Sequence, residues 1–440
     1  MIKQVHIPRF NFMNKLVTIT AEGEFIAPPP KLSKFKYIGM MNIRVGMVGG
    51  AGRSAGQAAT IAIRYSCVRR QGFKDSKGGQ VGAENCIMDY KMQQYRLFKA
   101  LGASYLMLWT GRNIAQFLQT VMEGVAAGNE EADKAADELP ELHATCAGLK
   151  AFCTSWSASL IEESRKCCGG QGFLRSSGIA DLSTSYVSSV TAEGEAVILA
   201  LQTARYLIKT VNEVRAGAET AGSVSYIAED PLDPTTIDLD DRTTRSASLV
   251  ALLKDRARSV ALDLAEDFNT ASANGASFDE ALNSVAVQGW HATECHCMYY
   301  MAMQAVEAVP KNIEDPNAQA AVMNLIDLTL LQAIKEDGGN FDALDRQQLR
   351  HISHMINDCM DEVRPDAVAL SDALGFEDHN LKSTLGRYDG NVYEAIYEEA
   401  RKSPLNGKNM VGWDKYSKVL DTDFIADKQG QRHSSDQAKM

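Results

Sequence analysis

Between Lys166 and Lys209 the chain reads KCCGGQGF and, about twenty residues later, AEGEAVILALQTARYLIK. The first motif removes side chains at Gly169, Gly170 and Gly172. A backbone stripped in this way can adopt positive φ and let a flat or phosphorylated ligand reach its N–H groups. The same glycines also suit a plain helix stop, since residues 148–166 are rich in Ala, Leu and Ile. In the second motif Glu193 lies between Ala192 and Gly194, ahead of a helix whose Val197, Leu201, Ala204, Ile208 and Val211 form an apolar stripe. A carboxylate at a helix entrance can cap the helix or complement its dipole. It can also serve as a general base, because an apolar site raises its pKa toward neutrality and suits it to take a proton from carbon beside a polarised carbonyl.

These motifs need helices to hold them, and the periodicity supplies them. One long helix is predicted over 35–71, a second over 84–127 with a break near Gly111, a third over 142–166 and a fourth over 194–214. Four such helices make a bundle. Residues 217–248 are acidic and proline-containing, and Asp230, Asp233 and Asp238 to Asp241 lack the spacing and central glycine of an EF-hand, so a linker is expected. Beyond it Leu249, Leu253, Val260, Leu264 and Phe268 mark an amphipathic helix, and Ser277 with Glu280 marks a capping box. A second bundle follows. The fold class is all-α: two helical bundles after a short β segment.

Several blocks in order along the chain resemble the peroxisomal acyl-coenzyme A oxidases. They are 137–143 (DELPELH), 147–152 (AGLKAF), 168–173 (CGGQGF), 176–179 (SSGI), 202–207 (QTARYL), 364–370 (RPDAVAL), 385–393 (LGRYDGNVY) and 403–406 (SPLN). The resemblance implies an FAD enzyme in which a glutamate removes the α-proton of an acyl thioester while the β-hydrogen leaves as hydride. By that resemblance the base is Glu193, and the thioester carbonyl accepts a bond from its backbone N–H. Electrons then pass to O2, giving H2O2 and a trans-2-enoyl-CoA. The second helical domain is what separates this family from the similar acyl-CoA dehydrogenases, which use an electron-transfer protein.

The resemblance also implies a homodimer. Arg69 aligns with an arginine that reaches the FAD pyrophosphate across the subunit interface, and Gly169 and Gly170 with the turn at the adenine end of the partner's FAD. Arg64, Arg69 and Arg70 close the first predicted helix, where cations also complement the helix dipole. The chain departs from the family pattern at Ala192, usually aromatic, and at Ala196, usually asparagine. The family's chains begin with a helical domain and a β-barrel domain; residues 2–15 (IKQVHIPRFNFMNK) resemble the tail of the latter, with strand-like alternation. The expected organisation is a β remnant over 1–34, a first helical domain over 35–215, a linker over 216–247, a second helical domain over 248–425 and a tail over 426–440. The closing Ala438-Lys439-Met440 is a variant of the tripeptide read by peroxisomal import receptors, which makes the peroxisome the expected location. A competing expectation is a non-catalytic, oxidase-derived helical protein that dimerises or regulates, and it turns on whether the gene continues in frame upstream of Met1.

Composition fits this class. With 440 residues, 45% of them hydrophobic, the chain can bury a large core. No run approaches the ~18 apolar residues of a membrane helix, and the N-terminus lacks a signal peptide's apolar core. A net charge of -11 argues against nucleic acid as a partner. The nine cysteines fall in helical patterns and read as reduced. Gly50, Gly52 and Gly56 mimic a dinucleotide fingerprint without the preceding strand, so close helix packing is the reading. His291 and Cys295 share a helix face and are metal-capable, but His296 and Cys297 point elsewhere among Trp290, Met298, Tyr299 and Tyr300, which favours core packing. His351 and His354 also share a face, without an evident third ligand, and read as a solvated or interface pair.

Overall fold

A computed structural model describes residues 3–12, 18–26, 38–73, 84–127, 129–403 and 406. The tripeptide at 438–440 lies outside them. Eight long helices carry the fold: α1 (Ile38–Val68), α2 (Lys91–Ala127), α3 (Asn129–Cys167), α4 (Ala196–Arg215), α5 (Arg245–Ala273), α6 (Ala286–Asn312), α7 (Pro316–Glu336) and α8 (Arg346–Val363). Among the described residues, two antiparallel ribbons accompany them. The strands β1 (Thr18–Ile19) and β2 (Phe25–Ile26) pair, as do β3 (Arg70–Phe73) and β4 (Glu84–Cys86). The strand expected within 2–15 does not form in its described part, where residues 9–11 make a 3-10 turn instead. Its apolar side chains Val5, Ile7 and Phe10 stand exposed, so alternation there has no buried face to serve.

The first bundle packs α1, α2 and α3 against one another, with α4 on α3. Backbone-to-backbone approach explains Gly49 and Gly52 of α1. A Cβ at Gly52 would stand 2.9 Å from the Leu108 nitrogen and the Ser104 oxygen, and one at Gly111 would stand 2.6 Å from the Cα of Gly49. Gly111 therefore seats α1 rather than breaking α2, which runs unbroken to Ala127. Ser104 Oγ donates to Gly52 O at 2.7 Å and Ser157 Oγ to Ala51 O at 2.9 Å, so small hydroxyls replace bulk at this seam. Helix α3 starts well before the predicted Leu142. Pro140 lies inside it, and the buried Leu139 and Leu142 on either side carry the helix through by packing.

The second bundle packs α6 on α5, α7 on α8, and both α6 and α7 against α2. Buried apolar residues form a continuous core from Met41 to Val392. The Ser277–Glu280 capping box forms as expected, and Asp345 with Gln348 makes another at the start of α8. The segment before α5 is more than a tether: Val224, Tyr226 and Ile227 are buried, and the Tyr226 hydroxyl lies 2.9 Å from His296 Nδ1. Its acidic residues serve local turns, with Asp233 accepting from Thr235 N and Asp241 from Thr243 N. Among the described residues, no helix is long and apolar enough to cross a membrane.

Candidate active site

Glu193 sits on a turn that the chain has to force. A short helix ends at Thr191, then Glu193 takes φ +57° and Gly194 φ +117° before α4 begins at Ala196. Left-handed backbone at a glutamate is uncommon and costs energy, so neighbouring groups must hold it. At Gly194 any Cβ would fall 2.7 Å from Leu199 Cδ2, so the second positive φ also requires glycine for space. The cap of α4 is Glu195, whose carboxylate accepts from Val197 N at 2.9 Å and Ile198 N at 3.3 Å. With Glu195 in that role, Glu193 is left out of the helix end.

Two buried cations hold the turn through its carbonyls. Lys150, fully buried in α3, donates to Val190 O at 3.0 Å and to Gly194 O at 2.7 Å. Burial lowers its pKa, and the charge of Arg44 lowers it further. Arg44, in α1, donates from Nε to Glu193 O at 3.1 Å. Three backbone oxygens thus point inward, and the Glu193 side chain points out. It is exposed, and within the described residues no hydrogen bond uses its carboxylate or its N–H. The apolar enclosure expected around this carboxylate is absent from the described residues; the helices of this chain supply the floor beneath the turn and not a lid over it. Ala192 is exposed and Ala196 is buried at the start of α4.

Beside this turn a cavity of about 520 Å³ opens between α1, α3 and α4. Met40, Met41, Leu139 and Pro140 give it apolar walls, and Arg44, His143, Arg205 and Lys209 give it polar corners. Burial lowers the pKa of His143, and Arg44 adds to the effect. Arg44 belongs to both the cavity wall and the turn, and its NH1 is buried without a partner among the described residues.

A second cleft, of about 660 Å³, brings together Arg69, Gly169 and Gly170 with Tyr65, Tyr90 and Gln93. Gly169 has φ +59° and opens the 3-10 turn Gly169–Phe173. Open space surrounds both Gly169 and Gly170, whereas a Cβ at Gly172 would meet Arg165 O at 2.2 Å. The first two glycines leave backbone accessible, and the third closes packing. Arg69 NH1 lies 3.4 Å from the Tyr393 hydroxyl and, among the described residues, faces no carboxylate in an ion pair. The cluster of three arginines does not stay together. Arg64 is buried on Asp372 Oδ1, at 2.9 Å from Nε and 2.7 Å from NH2, and on Gly386 O; Arg70 reaches Glu84 O. Glu193 does not line this cleft.

Sequence reasoning missed Arg44, Lys150 and His143. The available signal was a lone cation inside an otherwise small or apolar helical stretch, as in 147–152 (AGLKAF). Such a residue needs a buried acceptor. Of the other histidines, His351 Nε2 lies 2.9 Å from Asp240 Oδ1 on the surface.

Comparison with known proteins agrees with this architecture. Residues 37–208 match the family model "Acyl-CoA oxidase, C-alpha1 domain" and residues 245–421 match the model "Acyl-CoA oxidase". Peroxisomal acyl-coenzyme A oxidase 1 of Rattus norvegicus is 37% identical over 414 residues, covering 91% of this chain and 60% of that protein. The protein of the same name from Arabidopsis thaliana is 33% identical, covering 92% and 60%. Among solved structures, acyl-CoA oxidase-2 of Caenorhabditis elegans, bound with FAD, ascaroside-CoA and ATP, superposes with TM-score 0.85 at 30% identity, covering 95% of this chain and 61% of that one. Arabidopsis thaliana acyl-CoA oxidase 1 superposes with TM-score 0.85 at 31% identity, covering 96% and 63%. The chain spans about 60% of the length of the curated relatives it matches. Its helices, its glycine turns and these likenesses together place the chain in the acyl-CoA oxidase family.

Proposed function

We propose that this chain forms the two C-terminal helical domains of an FAD-dependent acyl-CoA oxidase acting in peroxisomal fatty-acid β-oxidation, with Glu193 as the base. The observation that carries the reading is the division of labour at the turn: Glu195 caps the helix, Arg44 and Lys150 hold the carbonyls, and among the described residues nothing bonds the Glu193 carboxylate or N–H. An acyl thioester whose carbonyl meets that N–H has an acidified α-carbon, and Glu193 takes its proton. The electron pair of the broken Cα–H bond forms the new double bond as hydride leaves the β-carbon. Bound FAD would supply the hydride acceptor, and passing two electrons and two protons on to O2 would give H2O2.

The cleft at Arg69 fits a dinucleotide. Gly169 and Gly170 expose backbone to it, and among the described residues the guanidinium of Arg69 is not spent on a carboxylate. A planar fork suits a pyrophosphate. In this reading the cleft meets the FAD of a second subunit in a homodimer, while the cavity beside Arg44 takes part of the acyl-CoA. The tail at 438–440 addresses the protein to the peroxisomal import receptor. The test is an absorbance scan of the purified chain incubated with FAD, followed by palmitoyl-CoA and a peroxide-coupled dye. Retained flavin with peroxide formation supports the reading; a folded protein that retains no flavin and makes no peroxide shows that these helices alone are not an oxidase.

A further inference from the structure

A third cluster lies away from both cavities, in the second bundle. His291 and Cys295 stand one turn apart on α6, and Asp337 terminates α7 against them. His291 Nε2 is 3.1 Å from Asp337 Oδ2, Cys295 Sγ is 3.5 Å from His291 Nε2, and the same Sγ is 4.0 Å from Asp337 Oδ2. We propose that His291, Cys295 and Asp337 form a three-ligand site for a zinc-type divalent cation.

Zinc bonds of about 2.0 Å to nitrogen, 2.1 Å to oxygen and 2.3 Å to sulfur, set at tetrahedral angles, give edges of roughly 3.3 to 3.6 Å between donors. The three observed separations bracket that range, so an ion fits at the centre after shifts of a few tenths of an ångström. Imidazole, thiolate and carboxylate together suit zinc, and the sulfur disfavours calcium and magnesium. The donor carboxylate is already oriented: Asn340 Nδ2 donates to Asp337 Oδ1 at 2.7 Å and Arg256 NH1 to Oδ2 at 2.9 Å. Such outer contacts fix a ligand's direction. Cys295 is buried and forms the base of the site, while His291 and Asp337 are partly exposed and leave the fourth vertex to water.

Arg256 sets the character of the site. Its charge already offsets Asp337, so a dication competes with a resident cation and binds more weakly than at a fully anionic centre. The bound ion would tie α6 to the end of α7. His296 and Cys297, on other faces of α6, take no part.

Cobalt(II) reports the donors directly. Titrated into the reduced, metal-free chain, it should give one equivalent of tetrahedral visible bands with a thiolate-to-metal charge-transfer band, displaced by zinc. Cys295→Ser should abolish the charge-transfer band, and His291→Gln and Asp337→Asn should each weaken binding at least ~10-fold. Cys297→Ser and His351→Gln should leave it unchanged. Asp337→Asn keeps an oxygen for Arg256 and so tests the site should another ligand variant fail to fold. No thiolate band, or a band that survives Cys295→Ser, overturns the proposal.

Discussion

Lys150 shows how much of a site can rest on a residue that touches no substrate. A buried ammonium without a contacting carboxylate is costly, and this one is spent on two carbonyls of the Glu193 turn. Replacing it by methionine leaves both acceptors without a donor, at about 1–3 kcal/mol each. Lys150→Met is therefore expected to lower the unfolding free energy by about 3 kcal/mol and to speed amide exchange across residues 188–199. Unchanged exchange there would show that the turn holds itself. Glu193 itself was legible as a carboxylate ahead of a helix, and so was its ambiguity between cap and base. Structure assigns the cap to Glu195, two residues on, a choice that depends on left-handed backbone at 193 and 194 and leaves no trace in hydrophobic periodicity. Arg44 and Lys150 act through contacts that span up to 149 positions, and a one-dimensional pattern cannot pair them.

At the level of elements, apolar spacing located the helices well and their ends less well. Pro140 and Gly111 carry breaker chemistry, yet neither ends its helix: Gly111 sits on the seam with α1, and exposed Pro140 is flanked by the buried Leu139 and Leu142. That seam makes a prediction. Gly52→Val would push a side chain into the backbone of α2, and overpacking of this kind costs about 1–3 kcal/mol. Thermal unfolding should show the loss, while Gly50→Ala, which meets nothing within 4 Å, should show little. A second test concerns the α5–α7 contact. Asp327 is buried, accepts from Ser246 Oγ at 2.7 Å, and has its pKa pushed by burial from 3.8 up to about 6. The folded state thus holds the proton more tightly than the unfolded chain. Stability from this group is present below pH 3.8 and is lost as pH rises through 6, a cost of about 3 kcal/mol at ~1.4 kcal/mol per pH unit. Asp327→Asn keeps the acceptor and removes the charge, so the variant should be more stable than the wild type at pH 7 and equal to it near pH 4. Equal stability at both pH values would contradict the assignment.

Over the whole molecule, the segment after α8 folds back across the first bundle. Tyr105 Oη donates to Leu370 O, Arg64 pairs with Asp372, and Thr384 N donates to Ser176 O. The two bundles therefore share one core, and Tyr393 comes to rest beside Arg69 at the nucleotide-sized cleft. The fold class and the second bundle were legible from sequence because apolar stripes at helical spacing recur along the chain. The fold-back was not, since it depends on buried polar pairs hundreds of positions apart. Whether Glu193 removes a proton from an acyl thioester is read most directly by comparing peroxide formation from palmitoyl-CoA in FAD-loaded wild type, Glu193→Gln and Glu195→Gln. Peroxide formation should fall ~100-fold or more in Glu193→Gln with flavin absorbance retained, and change only modestly in Glu195→Gln. Wild-type turnover in Glu193→Gln would contradict this role.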